Sequence, residues 1–110
     1  MIDIRSAQGL KEVLSTNDFV LGYFSHDKCT VCKALLPKVE QLIASDFPKV
    51  KLAYCNIEHA PRLAAHAGVF TAPTLILYVQ EKEYVRYSRN IGLDQLAQSI
   101  ARPYHMLMEN

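Results

Sequence analysis

The sequence lacks the features that mark several specialised classes of protein. It has no apolar run near the roughly 18 residues that a membrane-spanning helix needs, and its first residues, MIDIRSAQGLKEVL, lack the basic-then-apolar layout of a secretory signal. Its 12 Lys and Arg and 11 Asp and Glu give a formal charge of +1, and the basic residues are scattered. We therefore expect neither nucleic acid nor a membrane as partner, and we expect a cytoplasmic protein.

Cysteine is also scarce. Three cysteines are too few for a disulfide-rich secreted scaffold, and two of them, Cys29 and Cys32, stand three positions apart. In a reducing compartment such a pair is typically redox-active or metal-binding. Zinc is disfavoured because the chain offers no second CxxC motif and no HxxxH pair to complete four ligands. We expect neither a metal nor another cofactor.

The residues that are present suffice for one packed core. Half of the 110 residues are hydrophobic and 21% are charged, a balance typical of a globular domain and not of a disordered chain. A chain of this length usually forms one domain, and no repeat, low-complexity stretch or linker interrupts it. We therefore predict a single domain over residues 1–110, and we expect it to be a monomer.

The spacing of the apolar residues predicts an α/β chain in the order β-α-β-α-β-α-β-β-α. This order indicates a central mixed β-sheet flanked by helices on both faces. The predicted strands lie near residues 2–4, 19–24, 50–55, 74–80 and 84–88, with residues 81–83 as an exposed hairpin tip. The first predicted helix begins at residue 7, the second covers residues 30–46 and the third covers residues 62–67. The last begins after Gly92 and ends before Pro103.

Local signals support these boundaries. Ser6 is suited to cap the first helix, Pro61 suits the first turn of the third, and Gly68 is placed to end it. Pro37 lies within the second predicted helix. Because proline has no backbone N–H and crowds the preceding turn, it predicts a kink about one turn after Cys32.

The Cys29-Thr30-Val31-Cys32 motif falls where the second strand turns into the second helix. Cys29 is therefore expected at the helix N-terminus, and Cys32 about one turn further on, in the apolar stripe. Only a thiolate attacks a disulfide, and the helix N-terminus favours that anion, as do Lys28 and Lys33 nearby. We predict that Cys29 is the exposed attacking thiol and that Cys32 is the buried thiol that resolves the mixed disulfide.

Four segments match the pattern of one known family. They are FSHDKCTVCK around the two cysteines, Pro37, Thr71-Ala72-Pro73-Thr74, and Asn90-Ile91-Gly92 before the last helix. With these segments the chain resembles the thioredoxin family from end to end. The resemblance implies an α/β thioredoxin fold and a cis peptide bond before Pro73. It also implies that this loop lies beside the cysteines, where the backbone of Ala72 and Pro73 pairs with an extended substrate segment.

The sequence also departs from the family pattern at the motif. Lys28 replaces the usual tryptophan before the first cysteine, and the chain has no tryptophan at all. Thr30-Val31 differs from the dipeptides of typical thioredoxins and of disulfide isomerases. Because a histidine between the cysteines would stabilise the thiolate and make the protein more oxidising, its absence favours a reductant.

A second departure concerns the proton of the second thiol. Tyr23 stands where typical thioredoxins carry a buried aspartate that accepts this proton, and Tyr54 stands where they often have a lysine. We therefore hypothesise that deprotonation of Cys32 is slower, or that it uses His26, Asp27 or water.

The remaining candidate residues are expected to have structural roles. Cys55 ends a predicted strand, where a free cysteine usually acts as a small buried hydrophobic residue. His26 is expected to be a surface histidine. The apolar segment 104–108 is expected to pack back on the domain.

The sequence thus predicts a cytoplasmic thiol-disulfide oxidoreductase that reduces protein disulfides and contributes to cell redox homeostasis. Its expected partners are protein disulfide substrates and a reductase or thiol pool that recycles it. One alternative is a disulfide oxidant or isomerase. Another is a thioredoxin-fold binding module without turnover. The absence of the tryptophan and the absence of the buried carboxylate make this alternative credible.

Overall fold

The computed structural model describes residues 1–108, and its elements follow the predicted order. The strands are β1 (Ile2–Asp3), β2 (Phe19–Ser25), β3 (Lys51–Asn56), β4 (Thr74–Val79) and β5 (Lys82–Ser88). The helices are α1 (Ala7–Thr16), α2 (Thr30–Asp46), α3 (Pro61–Ala67) and α4 (Leu93–Met108). In this described range, no helix is long and apolar enough to cross a membrane.

The strands form one mixed sheet in the order β1-β3-β2-β4-β5. At its centre, β2 runs parallel to β3 and antiparallel to β4, and every residue of β2 is buried. A strand covered on both faces needs apolar residues on both, which explains the nearly continuous apolar run at residues 19–24. The predicted mixed sheet is confirmed.

Alternate residues of β2 face opposite sides of the sheet. On one side, Phe19, Leu21 and Tyr23 join a core cluster with residues of α2 and α4. On the other side, Val20 and Phe24 join a second cluster with residues of α1 and α3. The prediction of helices on both faces is therefore confirmed, and β2 is the element that connects the two halves of the core.

The predicted helix boundaries are confirmed at α1 and α3. The Ser6 side chain caps α1 by accepting a backbone N–H of the first turn at 3.0 Å. Pro61 occupies the first turn of α3, and Gly68, with a φ of 71°, ends it in the left-handed conformation. Arg86 of β5 secures this end, because its guanidinium donates hydrogen bonds to the carbonyls of Ala67 and Gly68 at 2.6 and 2.8 Å.

The prediction that the last helix ends before Pro103 was wrong, because α4 continues through Pro103 and includes residues 104–108. Proline weakens the turn that precedes it, but Tyr104 is buried just beyond. Its ring centroid lies 5.1 Å from that of Phe19 and 5.2 Å from that of Phe47. This packing stabilises the last turns. Of the segment predicted to pack back, Tyr104 does so and the rest is exposed.

The predicted hairpin between β4 and β5 is confirmed, but its tip is shorter than residues 81–83. The turn consists of Gln80 and Glu81, with φ values of 50° and 72°, and β5 already begins at Lys82. Positive φ at both turn residues matches the twist of paired strands, so a two-residue connection closes the hairpin.

Candidate active site

Strand pairing brings three loops to one end of the sheet. Thr74, the first residue of β4, pairs with the end of β2 on one side and with the end of β5 on the other. The segments that continue from these strand ends, residues 26–29, 70–73 and 89–92, are therefore neighbours. The topology thus places the loop before β4 beside the cysteine motif, as the family resemblance implies.

Cys29 and Cys32 lie where the first of these loops enters α2, and a disulfide joins them. Cys29 is the N-cap residue of α2, and its Sγ accepts the backbone N–H of Cys32 at 3.1 Å. Cys29 is partly exposed, whereas Cys32 is only 1% exposed and belongs to the core cluster of α2 and α4. Cys29 is therefore accessible to an incoming group, whereas Cys32 is shielded from it.

The surroundings of Cys29 favour a negative charge on its sulfur. The N-terminus of α2 carries unpaired backbone N–H groups and the positive end of the helix dipole. Lys28 and Lys33 add exposed positive charge on either side of the motif. Because a helix N-terminus and nearby positive charge stabilise a thiolate relative to a thiol, the role of the reduced Cys29 as nucleophile stays a prediction that these surroundings support.

The loop that carries Ala72 and Pro73 is held by hydrogen bonds. The peptide bond between these two residues is cis, as predicted. The carbonyl of Pro73 accepts the backbone N–H of Arg89 at 2.9 Å, and the Thr74 hydroxyl donates to a carbonyl within the loop at 2.7 Å. Ala72 and Cys29 pack against the same core cluster. The loop is therefore fixed between the cysteine motif and the end of β5.

Two large apolar side chains are exposed at this end of the molecule. Val31, between the cysteines, is 56% exposed, and Phe70, in the loop before the cis-proline, is 81% exposed. The sequence analysis missed Phe70. Its signal was a large aromatic residue directly before the Thr71-Ala72-Pro73-Thr74 segment, in a loop where polar residues are usual.

Tyr23 contacts the backbone of the second cysteine. It is fully buried, and its hydroxyl donates a hydrogen bond to the carbonyl of Cys32 at 2.6 Å. Its ring stacks with that of Tyr54, its partner on β3, at a centroid distance of 6.2 Å. Burial, with a smaller contribution from Tyr54, raises the pKa of Tyr23 to about 12. The aspartate position of typical thioredoxins thus holds a neutral hydrogen-bond donor.

His26 and Asp27 are tied to the turn after β3. The Asp27 carboxylate accepts a hydrogen bond from the Asn56 side chain at 3.0 Å and lies 3.6 Å from Nε2 of His59. Nδ1 of His26 lies 4.0 Å from a carboxylate oxygen of Glu58. These contacts attach the loop before Cys29 to its neighbour. None of these side-chain contacts runs to a cysteine, and His26 reaches Cys29 only through its carbonyl, which accepts the Cys29 backbone N–H at 3.2 Å, so a role in deprotonating Cys32 stays a prediction.

Cys55, the third cysteine, is a free thiol on β3 and is fully buried. Burial raises its pKa to about 11, and the negative charge of Asp3 adds a smaller shift in the same direction. The prediction that Cys55 acts as a small buried hydrophobic residue is confirmed. Within residues 1–108, no group of three or more His, Cys, Asp or Glu side chains is arranged to hold a metal ion.

Comparison with known proteins identifies the family. The family model for thioredoxin matches residues 3–102. The chain belongs to the thioredoxin family. It is 30% identical to the thioredoxin-like protein YdfQ of Bacillus subtilis over 106 aligned residues. The aligned region covers 96% of this chain and 94% of that protein. The chain is 37% identical over 78 residues to a thioredoxin of Peptoclostridium acidaminophilum, which covers 71% of each chain.

A solved thioredoxin supports the same conclusion at the level of the fold. The X-ray structure of Fasciola hepatica thioredoxin superposes with a TM-score of 0.84 at 26% identity, covering 93% of this chain and 98% of that one. The predicted thioredoxin fold is thus confirmed. Membership of the thioredoxin family, together with the Cys29–Cys32 pair, supports thiol-disulfide oxidoreductase activity.

Proposed function

We propose that this thioredoxin-family protein reduces protein disulfides by dithiol-disulfide exchange and contributes to redox homeostasis in the cytoplasm. The observation that carries the proposal is the asymmetry of the cysteine pair. Cys29 is partly exposed and caps α2 by accepting a helix N–H on its sulfur, while Cys32 is buried one turn further on. Exchange needs one accessible thiolate to attack and one shielded thiol to complete the reaction.

In the proposed reaction, the Cys29 thiolate attacks one sulfur of a substrate disulfide. A bond forms between that sulfur and Cys29 Sγ, and the other substrate sulfur leaves as a thiolate. Cys32 then loses its proton, attacks Cys29 Sγ and releases the second substrate sulfur. The substrate gains two electrons from the cysteine pair, and its two thiolates take up from solvent two protons, equal to those that Cys29 and Cys32 released on ionising; the protein ends with the Cys29–Cys32 disulfide that the structure contains.

We propose that the substrate chain lies across the loop before β4. Proline has no N–H, and the carbonyl of Pro73 already accepts the N–H of Arg89. Main-chain pairing with an extended substrate therefore falls mainly to Ala72, with Pro73 shaping the loop. The exposed side chains of Val31 and Phe70 offer apolar contact to the residues that flank the substrate disulfide.

The residues between the cysteines support the proposed direction of exchange. Thr30 and Val31 carry no charge, so Cys29 is stabilised as a thiolate by the helix and the two lysines but not by an adjacent histidine. This favours the reductant over the oxidant or isomerase. Each turnover leaves the protein oxidised, so the proposal requires a reductase or thiol pool to recycle it. It requires neither a bound cofactor nor a second copy of the chain.

The proposed chemistry is tested by trapping. In the Cys32→Ser variant, Cys29 should attack a disulfide-bonded protein substrate and remain attached to it, since no second thiol resolves the bond. Mass spectrometry without reductant should find one substrate per chain. The matched control is Cys29→Ser, which keeps the buried thiol and should trap nothing. Equal trapping by both variants, or by neither, would contradict the proposed roles.

Wild-type protein in the same assay distinguishes turnover from binding. A reductase should release reduced substrate and accumulate its own disulfide, one per substrate disulfide opened. A binding module would retain substrate with the substrate disulfide intact and with Cys29 and Cys32 still reduced, and retention of this kind should survive the Cys29→Ser replacement.

A further inference from the structure

Cys32 is held through both of its backbone groups. Its N–H donates to Cys29 Sγ at 3.1 Å, and its carbonyl accepts the Tyr23 hydroxyl at 2.6 Å. Tyr23 belongs to the central strand, all of which is buried, so the hydroxyl is a fixed point for the start of α2. The backbone of Cys32 is therefore fastened to the sheet on one side and to the attacking cysteine on the other.

The chemical state of Tyr23 excludes it as a base. With a pKa of about 12, the hydroxyl stays protonated across the physiological range and donates its proton to the carbonyl. Among the described residues, the contacts of Tyr23 include the Cys32 carbonyl on α2, the Tyr54 ring on β3 and its register partner Leu75 on β4, within a core cluster of apolar side chains. None of these supplies a buried carboxylate. Tyr23 is thus placed to orient Cys32 and not to remove its proton.

We propose that Tyr23 is a positioning residue for the resolving step, holding Cys32 so that its sulfur meets the mixed disulfide at Cys29. This inference rests on the proposed function. Small errors in the placement of a reacting group cost rate, and a resolving thiol acts only on the sulfur beside it. Attack by Cys29 on an external disulfide does not require this alignment, so the effect of Tyr23 is expected on the second step alone.

The two steps are separated with dithiobis-nitrobenzoate as substrate, mixed in limiting amount with the reduced protein. The attack by Cys29 releases the first coloured thiolate, and resolution by Cys32 releases the second. In Tyr23→Phe, which keeps the buried ring and removes only the hydroxyl, the second phase should slow by about 3- to 10-fold, the effect of one lost hydrogen bond. The first phase should change by less than about twofold.

The matched control is Tyr54→Phe, which removes a hydroxyl from the stacked neighbour and leaves the Tyr23 contact in place. It should leave both phases at the wild-type rates. Over the pH range in which the wild-type second phase accelerates, the second phase of Tyr23→Phe should show the same midpoint, because Tyr23 does not take up the proton. A merely structural role would slow both phases together or disturb both variants equally.

Three results for the variants would overturn the inference. One is a second phase in Tyr23→Phe as fast as in Tyr54→Phe. Another is equal slowing of both phases. The third is a shifted pH midpoint in Tyr23→Phe, which would make Tyr23 part of the proton transfer. If wild type itself shows no second phase, the proposed exchange fails and the inference fails with it. A normal wild type with an unaffected Tyr23→Phe rejects the inference alone.

Discussion

Cys29 lies just beyond strand β2 and Cys55 lies within its parallel neighbour β3, yet the surroundings of the two cysteines differ sharply. Cys55 lies within β3, fully buried, and its thiol has a raised pKa of about 11. Cys29 lies beyond the end of β2, partly exposed, at a helix N-terminus with a backbone N–H on its sulfur. From this difference in position we expect Cys29 to be reactive and Cys55 to be inert, because exposure and a helix N-terminus favour a thiolate and burial disfavours it.

The largest expected difference is in alkylation. In the native reduced protein at pH 8, iodoacetamide should modify Cys29 at least about 1,000-fold faster than Cys55, because Cys55 must first become exposed by an opening of the structure. Peptide mass spectrometry over time measures both rates. Labelling of Cys55 at a rate near that of Cys29 would remove the contrast, and denaturant should restore Cys55 labelling as a control.

Activity should separate the same two residues. Replacing Cys29 with Ser should lower the reduction of a protein disulfide by more than about 100-fold, because an alcohol does not replace the thiolate. Replacing Cys55 with Ser should leave the rate within about twofold, provided that the variant shows the wild-type circular dichroism. A Cys55→Ser variant that is folded and inactive would give that residue a role in exchange.

Alkaline pH should reveal the buried thiol as a loss of stability. The folded protein holds the proton of Cys55 up to about pH 11, whereas the unfolded chain releases it near 9.0. The contribution of this thiol to the free energy of unfolding is therefore present below pH 9 and is lost as the pH rises towards 11. Between pH 8 and 10, the difference in the pKa of this thiol between the folded and unfolded chains should lower the free energy of unfolding by roughly 1 kcal/mol.

Urea unfolding of the oxidised protein measures this slope, because Cys55 is then its free thiol. Tyr23 and Tyr78, whose pKa values burial raises to about 12, contribute to the same loss at higher pH. The Cys55→Ala variant should lose roughly 1 kcal/mol less than wild type between pH 8 and 10. Identical slopes for the two proteins would show that the thiol is not shielded as the structure indicates.

The smallest expected effect concerns access to Cys29. Removing the exposed ring of Phe70 by Phe70→Ala should raise the KM for a protein disulfide by about 3-fold, with kcat and thermal stability unchanged. The matched control is Tyr84→Ala, which removes another exposed aromatic ring near the hairpin tip, at the far end of β5. Equal effects of the two replacements would show that Phe70 makes no specific contact with substrate.

The sequence was sufficient to predict those parts that depend on neighbouring residues. The apolar run at 19–24, the cap at Ser6 and the position of Cys29 at a helix start are all local patterns, and all are confirmed. The cis bond before Pro73 came from the family resemblance, not from local physics.

Two features that could not be predicted from the sequence depend on contacts between distant residues. The last turns of α4 are stabilised because Tyr104 packs on Phe19 and Phe47, which no pattern near Pro103 reveals. The hydrogen bond from Tyr23 to the Cys32 carbonyl joins a strand to a helix, and the sequence showed only that the usual aspartate was missing. Register and side-chain direction were needed to show what the tyrosine does instead.

The most direct test of the proposed reductase is the reduction potential of the Cys29–Cys32 pair. The protein would be equilibrated in defined thiol-disulfide buffers, and its free thiols alkylated and counted, with Cys55→Ser as background to isolate the pair. The account predicts a potential near about −270 mV, the range of cytosolic reductants. A potential of about −180 to −120 mV, or a pair that forms no disulfide at any buffer composition, would contradict it.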